Sequence, residues 1–153
     1  MIERDIEKAT IAKVQALAID GLSVTGIWQP SASGVVKGVE DSAFVASLAV
    51  VAKPRTYQSF SLPRADLAVS LALRVLIDRA PDGEALHDFT APLDALLEDW
   101  QANIDSVKTD FTVPRFNPCG FRLDGGEVSF DRAAMAWLVT QSFTLRGIVL
   151  KKA

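Results

Sequence analysis

The chain is poor in the residues that carry most enzyme and metal chemistry. Among its 153 residues there is one cysteine, Cys119, and one histidine, His87. A single thiol excludes an internal disulfide and fits a reducing compartment. A lone histidine with no cysteine beside it cannot assemble the usual nitrogen and sulfur ligands of a zinc site, and a surface contact with Asp88 or Glu84 is its expected role. Cys119, between Pro118 and Gly120, is expected to be a small packed side chain. No apolar run reaches the roughly 18 residues that a membrane-spanning helix needs. The start MIERDIEK is charged and lacks the apolar core of a secretion signal, so no export is expected. No glycine-rich cofactor fingerprint follows a strand-like run. In residues 29–41 (QPSASGVVKGVED) Gly34 and Gly38 flank Lys37, but the spacing and the Lys-Ser/Thr ending of a phosphate loop are missing, and the stretch reads as a loop.

What is present describes an ordinary folded domain. Hydrophobic residues make up 49% and charged residues 23%, the balance of a soluble globular chain. The length suits one domain spanning residues 1–153, able to bury a core without metal or disulfide. The organising stretch is residues 67–78, LAVSLALRVLID. Leu67, Val69, Leu71, Leu73, Val75 and Ile77 take every second position, with Ala68, Ser70, Ala72, Arg74, Leu76 and Asp78 between them. A period of two places the large apolar side chains on one face of a strand. On a helix they would spread all round the axis. The other face is small or charged and could meet solvent or a thin layer.

Around this strand the remaining elements follow in order. Residues 3–18 read as a helix, with Ile2, Ile6, Ala9, Ala16 and Leu17 on an apolar stripe and Glu3, Arg4, Glu7, Lys8 and Gln15 opposite. Asp20-Gly21 is the expected stop. Residues 22–28 alternate and are β-branched, a strand; residues 44–53 form a continuous apolar run that suits a buried strand. Turn chemistry at residues 79–83 ends the long strand. Leu86, Phe89, Leu93, Leu96, Leu97 and Trp100 then recur at steps of three and four, with Asp94, Glu98 and Asp99 outward. Pro92 is awkward inside a helix, so the regular helix is expected to start near a Thr90 cap and to end near Asn103. The last third reads as strands: residues 111–116 at an edge because of Pro114, residues 121–123 and 128–130 joined by a turn at Asp124-Gly125-Gly126, a break at Asp131-Arg132, and residues 135–150, with Gly147 as a bulge. The sum is an α+β fold: a mostly antiparallel sheet packed by two amphipathic helices, with a projecting β-arm or long loop.

That arm is residues 54–64, PRTYQSFSLPR. Tyr57 and Phe60 lie between Arg55 and Arg64, just after Lys53. Basic residues interleaved with aromatics can stack bases, but one such segment in an acidic chain suits an arm whose aromatics pack on the domain or on a neighbour. Lys53, Arg55, Tyr57, Phe60 and Arg64 are therefore the candidate interface residues. Charge is also uneven. Residues 66–110 hold ten acids and three bases, net −7, while the rest holds nine acids and thirteen bases, net +4. Either the acidic helix is simply well solvated, or unlike surfaces meet between subunits.

The order of elements, the pair AFVASLAVVAK and LAVSLALRVLID, the PDG turn into the helix around Leu93 to Trp100, and the final FTLRGIVL together resemble the tail terminator or tail completion proteins of long-tailed bacteriophages and related minor tail proteins of prophages. The resemblance is one of pattern. It implies a non-enzymatic structural protein, without cofactor or metal, that assembles in the cytoplasm and ends in the virion tail. Its partners would be copies of itself in a ring, commonly of six subunits, with the tail tube and head–tail connector proteins, and neither a membrane nor a specific nucleic-acid sequence. The alternatives are a small-ligand or lipid-binding α+β module, with a deep apolar cavity under the helix of Leu93 to Trp100, or an enzyme of another type.

Overall fold

The computed structural model describes residues 1–26, 46–57 and 63–150. The expected loop at residues 29–41 and the far end of the first strand lie outside them. Among the described residues, a six-stranded sheet has the order β1-β2-β4-β6-β5. The strands are β1 (Leu22–Gly26), β2 (Ala46–Ala52), β3 (Thr56–Tyr57), β4 (Arg64–Leu76), β5 (Phe116–Asp131) and β6 (Ala136–Val149). β1 runs parallel to β2 and every other pairing is antiparallel. The helices α1 (Ile2–Ala16), α2 (Gly83–Ala102) and α3 (Ile104–Asp110) supply the other layer. The fold is α+β with a mostly antiparallel sheet, as the patterning predicts.

β4 is the centre of that sheet, paired with β2 and β3 along one edge and with β6 along the other. Its alternation holds: Leu67, Val69, Leu71, Leu73 and Val75 are all buried in one continuous core. Residues 53–55 interrupt the strand, where Pro54 has no N–H to give. Lys53 still donates its amide to Ala68 O at 2.9 Å, so β3 resumes along the edge that β2 occupies further on.

α1 is rotated relative to the expected stripe. Ile2, Ile6, Thr10 and Val14 are buried, but so are Glu3 and Glu7, while Ala16 is exposed. The cause lies far off in sequence. The Ala52 amide donates to Glu7 Oε2 at 3.3 Å. Glu3 Oε2 pairs with Arg55 Nη1 at 3.4 Å. A buried carboxylate is tolerated when donors replace its water.

Glu7 gives a prediction. Burial pushes its carboxyl above the ordinary value of 4.5, although the Ala52 amide and the charge of Arg4 oppose this. The native state therefore holds the proton more tightly than the unfolded chain, so stability falls as pH rises from about the ordinary carboxylate value through the raised native one. Glu7→Gln keeps an oxygen for Ala52 and removes the charge. The variant should equal or exceed the wild type near neutral pH and lose the advantage in acid. Urea midpoints across that pH series check this; parallel curves would show that Glu7 does not titrate differently on folding.

α2 starts a full two turns before Thr90. Asp82 caps it, accepting from the Ala85 amide at 2.9 Å, and Pro92 lies inside the helix. Leu86, Phe89, Leu93, Leu97 and Trp100 are buried on both sides of the proline, so packing of the apolar face outweighs one missing amide. The helix ends at the expected Asn103, which also caps α3 by accepting from Asp105 N at 3.1 Å. The apolar spacing does not announce α3, since its short length buries Val107 alone.

The last third departs most from expectation. Residues 111–115 form a turn rather than a strand: Phe111 ends α3 and Arg115 sits at φ +65°. Asp124-Gly125-Gly126 makes no hairpin. β5 is a single strand of 16 residues laddered along β6. Gly125, at φ +104°, absorbs a register shift after Leu123 as a β-bulge. The reversal comes at residues 132–135, with Met135 at φ +51°. Gly147 stays in regular register opposite Pro118; the bulge expected there belongs to the facing strand, between Pro118 and Gly120. Cys119 is consequently exposed, not packed.

Candidate assembly surface

The arm residues divide when placed on the fold. Lys53 and Arg64 are exposed, and Tyr57 is 56% exposed on the short strand β3. Arg55 is half-buried against Glu3 of α1, so it fastens the root of the arm to the domain instead of projecting. The ladder of Thr56 with Asp66 and Tyr57 with Ala65 ties that root to β4. Phe60 lies outside the described residues. A second exposed element escaped the sequence reading. Where β5 and β6 turn, Val128 is 59% and Met135 50% exposed. Val128 follows the alternation of its neighbours, so its spacing does not distinguish it from a core residue.

The acidic part of the charge asymmetry lies on the helix layer. The helix layer presents Glu84, Asp88, Glu98, Asp99 and Asp105 to solvent. Arg122 and Arg146 point from the sheet face turned away from the helices, by their register opposite Thr144 and Gly120. Part of this asymmetry is neutralised within the chain. Arg146 pairs with Asp66 at 3.1 Å, Arg122 with Asp124 at 2.8 Å and Lys13 with Asp110 at 2.9 Å. Burial alone would raise the Asp124 carboxyl, but the hydrogen bond from Thr144 and the Arg122 guanidinium bring it below the ordinary carboxylate range. Asp94 is shifted the other way, first by burial and then by Glu98, while Gln141 donates to it at 3.0 Å and links α2 to β6.

The space beneath Leu93 to Trp100 holds side chains. Trp100 packs on Phe111, Phe143 and Phe121 with ring centroids 4.8, 5.6 and 5.9 Å away. A depression of about 350 Å³ lies instead at the surface, lined by Ile19, Asp20, Arg79, Ala85, Asp88 and Phe89 and crossed by the Arg79–Asp20 ion pair at 3.1 Å. His87 and Cys119 are both exposed, on α2 and β5. Among the described residues no group of three or more His, Cys, Asp or Glu could hold a metal ion.

No family model matches the sequence, and no curated protein matches it. Among solved structures, the fold is similar to that of a chain in the virion of a native gene transfer agent particle. The TM-score is 0.50 at 12% identity, over 96% of this chain and 91% of that one. At that identity the likeness is one of fold.

Proposed function

We propose that this chain is a non-enzymatic structural subunit of a phage-like particle, and that it closes into a ring on the end of the tail tube as a tail terminator or completion protein. The carrying observation is the fold shared over nearly the full length of both chains with a component of a gene transfer agent virion. The disposition of charge supports a ring. A contact between the acidic helix layer of one copy and basic side chains of the next would be heterologous, and heterologous contacts close as rings or continue as filaments. Complementary patches guide encounter and orientation more than they add affinity. The arm root, with Lys53, Tyr57 and Arg64 exposed beside it, supplies an anchor, since aromatic residues dominate interface energetics. Assembly would take place in the cytoplasm, with the tail tube and connector proteins as further partners. The ligand-binding alternative lacks comparable support, because aromatic rings occupy the space under α2.

Sedimentation of the protein alone and with purified tail tubes, at low and high salt, tests this. Weak self-association should rise with protein concentration and fall with salt, since exposed charges are screened over about 8 Å at physiological ionic strength. Tyr57→Ala should weaken tube-end binding about tenfold or more, as a loss of ~1.4 kcal/mol or greater at an anchor residue implies. A strict monomer, indifferent to salt and to tube ends, would remove the reading.

A further inference from the structure

β5 is one margin of the sheet, and among the described residues it pairs with β6 alone. A strand margin offers a row of free amides and carbonyls to any other strand, and folds blunt it with prolines, bulges, charges or covering groups. The first half of β5 is blunted in this way. Pro118 brings no amide, and the register shifts between Pro118 and Gly120 and between Leu123 and Gly125 break the ladder. Gln101 of α2 accepts from the Leu123 amide at 2.9 Å. The second half is not. Gly125 to Asp131 pair with Ser142 to Ala136 without a break and include neither proline nor lysine. Residues 125–129 are all exposed. Val128 stands opposite Val139, which is 4% exposed, yet is itself 59% exposed. Phe130, on the same face, is held edge-on against Trp137 with ring centroids 5.0 Å apart.

The sequence of this run, DGGEVSFD, matches itself in one register. Set antiparallel about a two-fold axis at Val128, two copies bring Val128 against Val128, Glu127 against Ser129, Gly126 against Phe130 and Gly125 against Asp131. Directly opposed residues share a face, so the exposed valines meet with a phenylalanine on either side, while each carboxylate faces a hydroxyl. No like charges meet. Moving the axis by one residue sets Glu127 against Glu127, or Glu127 against Asp131, and like charges directly opposed are destabilising. We propose that residues 125–131 of β5 are a self-recognition edge, which joins the sheets of two copies as an antiparallel pair centred on Val128. Backbone hydrogen bonds supply the affinity of such added strands, and the alternate side chains supply the register. The contact is isologous, the same patch on both partners, so it is separate from ring closure by unlike charge.

Sedimentation equilibrium of the free protein across a concentration series tests it. A monomer–dimer equilibrium should persist at high salt, because screening acts on charge pairs and not on strand pairing. Val128→Lys sets two ammonium groups opposite each other and should weaken the dimer tenfold or more, with the circular dichroism of the monomer unchanged. Val128→Cys in a Cys119→Ser background fixes the register. Its two thiols would be directly opposed, at the about 4.5–5.5 Å Cα separation that a disulfide accepts, and mild oxidation should give a covalent dimer. Three results would each overturn the proposal: a monomer at every attainable concentration, a dimer that salt dissolves or that Val128→Lys leaves intact, or a Val128→Cys protein that forms no covalent dimer. Binding to tail tubes bears on the assembly reading alone, so either can fail without the other.

Discussion

Trp100→Ala should lower the free energy of unfolding by about 3–5 kcal/mol, the range for removing a large buried aromatic. The side chain is 1% exposed and packs against three phenylalanines, one at the C-terminal cap of α3 and the others on β5 and β6. Its Nε1 also donates to Asp110 Oδ2 at 2.8 Å, and Asp110 Oδ1 takes Lys13 Nζ at 2.9 Å. One residue thus ties α2 to α3 directly and to α1 through a carboxylate. Trp100→Phe separates the two contributions. It keeps much of the ring packing and loses the hydrogen bond, so about 1 kcal/mol should go. Since whole domains are stable by only about 5–15 kcal/mol, the alanine variant should be close to unfolding at growth temperature. Urea denaturation with an unchanged m-value is the measurement. A loss under about 1 kcal/mol for the alanine variant would show that the cluster collapses around the gap, or that the helix layer is not held there.

The second large effect belongs to a glycine. A Cβ on Gly147 would fall inside the envelope of the Phe116 ring, against Cζ and Cε2, and 2.8 Å from the carbonyl oxygen of Asn117. β6 lies between β4 and β5, so Gly147 has no free side toward which to move. Gly147→Val should therefore cost about 3 kcal/mol, near the upper end for overpacking. The ring and the glycine form one unit: Phe116, 3% exposed, fills the space that a side chain at position 147 would take. Combining Gly147→Val with Phe116→Ala should cost at least about 1 kcal/mol less than the two single losses together, as expected of residues in contact. Strict additivity would show that the ring does not occupy that space.

The parts of the fold legible in the sequence are those whose signal is local and repeated. The alternation of Leu67 through Val75 sets which face of β4 enters the core, because successive strand residues point to opposite sides. The steps of three and four from Leu86 to Trp100 do the same for α2, even across Pro92. The α+β class and the antiparallel centre of the sheet follow from these runs. What needed the tertiary structure were the choices between two uses of one local signal. Asp124-Gly125-Gly126 supplies a positive φ, and a hairpin and a bulge both use one. The long ladder with β6 decides for the bulge, because a hairpin there would leave most of β6 without its partner. Glu3 and Glu7 look like the polar side of α1 until Ala52 and Arg55, some 45 and 52 residues on, supply the donors that draw them inward. The candidate interface divides for the same reason: Lys53, Tyr57 and Arg64 face solvent as their composition suggests, whereas Arg55 is claimed by Glu3. Arg74 is the plainest case. By sequence it is one charge on the outward face of a strand; only the fold buries it beside Ser47 without a counter-charge among the described residues, because burial is set by what packs over a residue and not by its own strand.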